Sequence, residues 1–317
     1  MKIASFNARR FGVKKCSDPK VSAVITKIAA RYDIIVILEV FDAKEKAAKK
    51  LVEQLNSCSD ERYNYILSTP LGRKEYKEQY LFVYREEQVK VKDTYQYEDM
   101  QHGDEDSFAR EPFIVRFEAK KSGMGNALQK TVYPFCRFHH LPVGYTLFSS
   151  MRGLTTQKAD PVVAQERRGP TLKDFVLIPI HTTPKDSVQE IDELYDVYEH
   201  VKEKWGTENI ILLGDFNADG AYVSNKKMKT IRLRTDPDLH WLIDDDTDTT
   251  AINTTDFSYD RIVVHSSILK HVVPNSAKPF NFQEEYKMSY EEAVAVSDHY
   301  PVEVEFNPAK GIKRKKN

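Results

Sequence analysis

The sequence predicts an α+β fold, built from short buried strands and amphipathic helices along one chain. Three kinds of stretch predict it. Continuous apolar runs of strand length stop abruptly at polar residues, as in "DIIVIL" from Asp33, "FVLIPI" from Phe175 and "IILLGDFNAD" from Ile210. Apolar stripes at helical spacing follow capping signals, as with Val21, Val24, Ile25, Ile28 and Ala29 after Asp18-Pro19. Aromatic and β-branched residues mark further strands, such as "YKEQYLFVYR" from Tyr76.

In chain order, Lys2 to Phe6 alternates apolar with small or polar residues and releases Asn7 ahead of the basic pair Arg9 and Arg10. The helix after Asp18 leads to the strand that stops at Glu39, and helix-like residues run from Ala43 to Asn56. Glu78 stands at the start of the aromatic strand, with Arg73, Lys74 and Lys77 close by, and Val89 to Tyr97 is expected as its partner strand. An acidic loop, Glu98 to Asp106, precedes Phe108, Arg110 and Glu111, and Pro112 to Phe117 resumes strand character. From about 120 to 170 periodicity disappears and Gly, Ser, Pro and Thr are frequent, so a long loop or disordered insertion is expected. Its "CRFHH" lacks a fourth zinc ligand at finger-like spacing.

The strand from Phe175 ends on His181. Ser187 with Glu190 forms a capping-box pattern before the stripe Val188, Ile191, Leu194, Tyr195, Tyr198 and Val201, which ends near Gly206. The strand from Ile210 then delivers Asp215 and Asn217, two residues apart and so on one face of an extended chain. The plain alternative is a strand exit with Asp and Asn as turn formers. A basic stretch, a short helix around Asp236 to Ile243 and the acidic loop "DDDTDTT" lead to a strand, Ser258 to Val264, that carries Asp260. A second capping box, Ser289 with Glu292, precedes "VSDHYPVEVEF", where Asp298 and His299 stand before a final strand.

At 317 residues the chain can form one large domain or two, and 41% hydrophobic and 11% aromatic residues suffice for a sizeable core. No apolar run approaches a membrane span. The 47 basic and 48 acidic residues give a net charge of -1, so bulk charge does not advertise a nucleic-acid binder. Cys16, Cys58 and Cys136 are sparse and odd in number, which points to a reducing compartment. Met1 to Arg10 shows no signal-peptide apolar region, so if Met1 is the true start an intracellular location, cytoplasm or nucleus, is expected, with secretion as the alternative.

Asn7, Glu39, His181, Asp215 with Asn217, Asp260, and Asp298 with His299 all fall at a strand end or its adjoining turn. Polar residues of metal-ligand and proton-transfer type do not recur so regularly after apolar runs by chance. Hard oxygen donors such as Glu39, Asn7 and Asp298 suit magnesium or manganese. Two histidines near carboxylates can divide acid and base duties near neutral pH. A phosphodiester needs both: its charge repels hydroxide, its transition state needs a cation and donors, and its leaving oxygen needs a proton.

The stretches "SFNARRFG", "VILEV", "LGRKEYKEQYLFVYR", "DSFAREPF", "IPIHTTP", "LLGDFNAD", "YDRIVV" and "SDHYPVE" resemble the pancreatic-type deoxyribonuclease (DNase I-like) family within the endonuclease/exonuclease/phosphatase superfamily. They cover the chain except residues 120–170 and the basic tail 308–317, so one domain over 1–307 with an insertion is expected. The resemblance implies a four-layer αββα sandwich, two packed mostly antiparallel sheets flanked by helices, with the site where the strands end. It implies a magnesium- or manganese-dependent endonuclease that hydrolyses DNA to 5'-phosphate ends with little sequence specificity. Position by position, it implies Glu39 as main metal ligand with Asn7 and Asp298 close by. His181 with Glu78 and His299 with Asp260 become the acid-base pairs, Asp215 and Asn217 the phosphate-positioning pair, and Arg110 a phosphate or structural contact. Tyr76 and Arg9 resemble residues that touch DNA. Asp99, Asp106 and Glu111, and separately Asp248, resemble structural calcium sites, the alternative being loops capped by their own Asp and Thr side chains. DNA is the expected partner of a monomer with no membrane association; actin binding is left open. Other functions to be weighed are a phosphatase or lipid phosphodiesterase of the same superfamily and a non-catalytic DNA- or protein-binding relative.

Two departures stand out. Gly220 and Phe257 occupy positions where the family usually has a disulfide, so calcium and packing, or a reducing compartment, must compensate. Phe41 stands where the family often has an arginine for the minor groove.

Overall fold

Strands that are apolar on both faces need cover on both sides, and period-two alternation decides which side chains go to which side. The protein, a computed structural model describing residues 1–99, 107–120 and 172–307, meets that need with two sheets, each of six strands among the described residues. The first has the spatial order β11 (Lys278–Pro279), β12 (Val302–Glu305), β1 (Lys2–Gly12), β2 (Ile34–Phe41), β4 (Gln79–Arg85), β3 (Tyr63–Leu67). The second runs β5 (Val89–Gln96), β6 (Phe113–Ala119), β7 (Asp174–His181), β8 (Ile210–Asp215), β10 (Asp260–His265), β9 (Leu239–Trp241). Only β1 with β2 and β7 with β8 pair in parallel. The helices are α1 (Val13–Ser17), α2 (Pro19–Ala29), α3 (Lys46–Cys58), α4 (Ser187–Trp205), α5 (Asn225–Met228), α6 (Arg232–Thr235), α7 (Ser266–Leu269), α8 (Phe282–Glu285) and α9 (Tyr290–Val296).

Three apolar cores separate four layers. Ile3, Ile34, Val36, Phe82, Leu177, Ile211, Leu213 and Ile262 fill the space between the sheets. Phe6, Ile35, Ile37 and Leu81 face α2, α3 and α9, and Val176, Ile178, Leu212 and Val263 face α4. The predicted sandwich is therefore present. Among the described residues no helix is long and apolar enough to cross a membrane.

The same alternation places the polar strand ends. Asn7 shares the parity of Ile3, His181 that of Leu177, Asp215 that of Leu213, Asp260 that of Ile262, and Glu78 that of Phe82. All five thus belong to the inner faces. Parallel neighbours end at one edge and antiparallel neighbours begin there, so the ends of β1, β2, β7 and β8 meet the starts of β4 and β10. The site lies at that edge.

Glycine is required where the sheets crowd. Gly214 has φ 151°, and a Cβ there would lie 1.9 Å from the Ile180 carbonyl oxygen, beside the His181–Asp215 register pair. Gly220 has φ 60°, and a Cβ would lie 2.7 Å from the Phe257 ring. The Phe257 ring, stacked on Tyr259 at 5.1 Å, thus packs on Gly220 at the positions of the missing cross-link. Asp219 accepts from Gly220 N and Ser258 N and closes the same loop. The free cysteines among the described residues are Cys16 and Cys58; Cys136 lies outside them. We expect dithiothreitol to leave melting temperature and activity unchanged, whereas Gly220→Ala lowers stability by about 1 kcal/mol or more; a large loss on reduction would contradict the packing account.

Several expectations are corrected. Val89–Gln96 does not pair with the strand from Tyr76: β4 lies between β2 and β3, and β5 pairs with β6 in the other sheet, because the chain crosses between sheets after Arg85. The stretch around Asp236 to Ile243 carries an edge strand, β9, instead of a helix, since pairing with β10 outweighs local propensity. At α4 no capping box forms. Ser187 is already helical and its hydroxyl donates to Thr183 O and Pro184 O, while Glu190 accepts from Thr183 N. Ser289 with Glu292 does form the box, and Asp18 caps α2. The insertion expected over 120–170, but for Lys120, and the basic tail 308–317 lie outside the described residues.

Candidate active site

Two bulges at the mouth of the first sheet decide where its functional groups point. Register between β1 and β2 slips between Asn7 and Phe11, and between β2 and β4 it slips between Ile37 and Val40. Within them Arg9, Arg10 and Glu39 adopt left-handed backbone, with φ 40°, 55° and 54°, a conformation costly without glycine. Val40 consequently faces the helix-side core, and Glu39 is released from strand alternation toward Asn7. The Asn7 amide nitrogen donates at 3.0 Å to both Glu39 Oε1 and Asp215 Oδ2. Backbone nitrogens of the bulge hold the other ends: Arg9 N donates to Asn7 Oδ1 and Arg10 N to Glu39 Oε2.

Asp215 Oδ2 is the hub of the second sheet's contribution. The Nε2 atoms of His181 and of His299 each stand 3.6 Å from it. Each imidazole is held from behind, His181 Nδ1 by Glu78 Oε2 at 2.7 Å and His299 Nδ1 by Asp260 Oδ2 at 2.7 Å. Asp215 Oδ1 accepts from Asn217 N, and Asn217 (φ 46°) donates its amide to Thr182 O. The two histidines, separated by more than a hundred residues in the chain, become mirror partners about one carboxylate oxygen.

Burial would raise Glu78 and Asp215, but the protonated imidazoles, with Arg110 for Glu78 and the Asn7 amide for Asp215, hold both below the ordinary carboxylate range. Burial pushes Asp260 up to about 6, with His299 opposing and Asp215 reinforcing. His299 rises to about 10: burial opposes this, and Asp260 and Asp215 outweigh it. His181 is also raised, against burial and Arg110, by Glu78 and Asp215. The pocket therefore holds protons strongly because carboxylates exceed cations in it. For Glu78 and His181 the linkage signs are opposite. A lowered Glu78 adds stability above its ordinary 4.5, lost as pH falls through its folded value. A raised His181 adds stability below its ordinary 6.5, lost as pH rises through its folded value. In chelator, the melting-temperature gap between parent and Glu78→Gln should be widest between pH 4.5 and 6.5 and close on both sides; a gap independent of pH would contradict the ion pair.

Other expected residues sort by what they touch. Arg110 is turned inward: its Nε and Nη2 donate to His181 O at 3.0 and 2.8 Å, and Glu78 lies 3.5 Å away. This favours the structural alternative over the phosphate contact. Tyr76 is 49% exposed at the rim, meets Phe41 edge-on at 5.0 Å and bonds Glu78 through its hydroxyl. Arg9 is also half exposed, 3.5 Å from Asp298 Oδ2. Asp99 Oδ2 accepts from Phe108 N, and its buried Oδ1 has no partner among the described residues; Glu111 is nearby in sequence and Asp106 lies outside the described residues. Asp248 Oδ1 accepts from Thr250 N, Thr250 Oγ1 and Phe257 N, the loop-capping alternative. Sequence reasoning missed Ser297, which donates to Asn7 O and accepts from His299 N, and Tyr80, whose hydroxyl accepts from His181 N.

Could this mouth hold a divalent cation? Ligand atoms of Asp215, Asp260 and His299 lie within 4.8 Å of one another, and the Asn7 amide fills the role of positive partner between two carboxylates. Of the expected ligands, the Glu39 and Asp298 carboxylates are hard oxygen donors that fit magnesium or manganese, while Asn7 turns its amide nitrogen to Glu39 and its oxygen to Arg9 N.

Two sheets opening on two carboxylate-backed histidines and a carboxylate-rich mouth fit a hydrolase of phosphate esters. The profile of the Endonuclease/Exonuclease/phosphatase family matches residues 4–299, and the chain belongs to that family. Within it the chain is DNase I-like. It is 41% identical to human "Deoxyribonuclease gamma" over 319 residues, covering 100% of this chain and 89% of the relative. It is 42% identical to rabbit (Oryctolagus cuniculus) "Deoxyribonuclease-1" over 306 residues, covering 96% and 92%. Among solved structures, the human Nocturnin catalytic domain with bound sulfate shares the fold with a TM-score of 0.55 at 12% identity, covering 97% of this chain and 94% of that one.

Proposed function

We propose that this protein is a divalent-metal-dependent deoxyribonuclease, an endonuclease that hydrolyses DNA phosphodiesters to 5'-phosphate ends with little sequence specificity. One observation carries the chemistry: two carboxylate-backed imidazoles present their Nε2 atoms at equal distance to Asp215 Oδ2. A scissile phosphate in front of Asp215 meets one imidazole on the side of the attacking water and the other on the side of the leaving 3'-oxygen. Glu78 and Asp260 fix the ring orientation, so that Nε2 is the working nitrogen on each. Asn217 and Asp215 position the phosphate from the second sheet. Glu39 and Asp298, with Asn7 once its amide turns its oxygen inward, would hold magnesium or manganese, which would supply charge neutralisation at the phosphate. Tyr76 and Arg9, exposed at the rim, contact the DNA backbone and minor groove and read no sequence.

The deoxyribonuclease relatives support DNA as the substrate over a small phosphate ester, and the complete acid-base set supports turnover over mere binding. Calcium at Asp99 and Glu111 is the structural ion we propose, supported by a buried Asp99 oxygen that has no partner among the described residues. We take the protein to act as a monomer of one nuclease domain over 1–307, and the packing of Phe257 on Gly220 fits an intracellular setting. Supercoiled plasmid with magnesium and calcium tests the function: nicking that stops with chelator and weakens as salt rises is expected. Absence of nicking, or a rate indifferent to both, would overturn it.

A further inference from the structure

Lys15 follows the first bulge directly, on α1. Its ammonium donates to three main-chain carbonyls, Ala8 at 2.7 Å, Arg9 at 2.5 Å and Val296 at 2.7 Å, which uses all three of its protons. Two acceptors lie in the bulge where Arg9 and Arg10 hold left-handed backbone. The third closes α9, one residue before Ser297, whose hydroxyl donates to Asn7 O at 2.6 Å and accepts from His299 N at 3.1 Å. The chain's first strand and its last catalytic turn therefore converge on one nitrogen. Within the bulge, Arg9 N and Arg10 N grip Asn7 Oδ1 and Glu39 Oε2.

We propose that Lys15 is a positioning residue for the cation-binding end of the site: it clamps the Ala8–Arg10 bulge to the turn after Val296, so that Asn7, Glu39 and Asp298 are set before a cation arrives. The clamp touches neither substrate nor cation. A lysine merely covering apolar surface would leave its ammonium in water, whereas this one is spent on three backbone oxygens from two distant segments. Backbone held in a sparsely populated conformation persists only where its surroundings over-determine it, and groups behind a metal ligand set tune affinity without binding the metal.

The inference rests on the proposed cation site, so two independent readouts are needed on the full chain. Lys15→Met should weaken Mn2+ binding, measured by titration calorimetry without DNA, by about 10- to 100-fold. The KM for DNA at saturating Mn2+ should rise by no more than about threefold, since of the proposed DNA contacts only Arg9 sits on the clamped bulge. In metal-free protein, hydrogen exchange over residues 6–12 should quicken by about tenfold or more while the inter-sheet strands stay protected. Lys15→Arg keeps the charge but spreads its donors in a plane, so it should show the same changes in smaller measure, and it serves if the methionine variant does not fold. If the parent binds no Mn2+, the cation site itself is refuted, and the exchange readout still decides the clamp. Unchanged exchange together with unchanged Mn2+ affinity overturns the clamp, as does a raised KM for DNA with Mn2+ affinity intact.

Discussion

Alanine in place of His299 lowers the rate of plasmid nicking by about two to four orders of magnitude, and alanine in place of His181 does the same. The double variant falls less than about a further tenfold, because residues that act as a unit lose most of the rate with the first removal. The pairs behind the rings give the companion result. Asp260 raises His299 and Glu78 raises His181, so Asp260→Asn and Glu78→Gln each lower one imidazole's pKa. Each variant should then move one limb of the pH–rate profile to lower pH, and the two should move different limbs. The variant that moves the alkaline limb identifies the general acid, and the other identifies the base. Full activity in either alanine variant, or both backing variants moving the same limb, would show that the rings do not divide the proton transfers.

Asp215→Asn should cost about a thousandfold in rate and only a modest part of the fold's stability. The substitution keeps an oxygen for the Asn7 amide and removes the charge that both imidazoles face. Removal of one preorganised electrostatic partner typically costs about 100- to 1,000-fold. Stability falls as well. Both imidazoles and the Asn7 amide hold Asp215 below the ordinary carboxylate range, so its charge stabilises the fold, and the relief given to Asp260 only partly offsets the loss of the imidazoles' partner. A melting temperature a few degrees below the parent is expected in chelator. A steep drop in melting temperature with only a modest rate loss would recast Asp215 as structural. Calorimetry and nicking on the same preparation distinguish the two.

Much of the site was legible in the chain because it obeys a local rule. A buried strand must end, and a polar residue of the right parity at its end stays on the inner face; Asn7, His181, Asp215 and Asp260 follow this rule directly. Glu39 does not. By parity it belongs with Ile35 and Ile37 on the helix side, and only the bulges and its left-handed backbone carry it to Asn7. Arg110 fits a phosphate contact as well as a structural one until its guanidinium is seen wrapped on the His181 carbonyl. Sequence adjacency also misled at Val89–Gln96, where strands close in the chain belong to different sheets.

By itself the sequence determined the mixed strand-and-helix class, the residue types that reach the strand ends, and, through its ordered motifs, the family. Only the tertiary structure decided which of those residues meet, how Asp215 comes to stand between two histidines, and that Lys15 closes the first bulge against the last turn. The physical reason is distance along the chain. Hydrogen bonds such as Ser297 to Asn7 span 290 residues, and whether such partners meet is settled by the packing of two sheets, which no local pattern encodes.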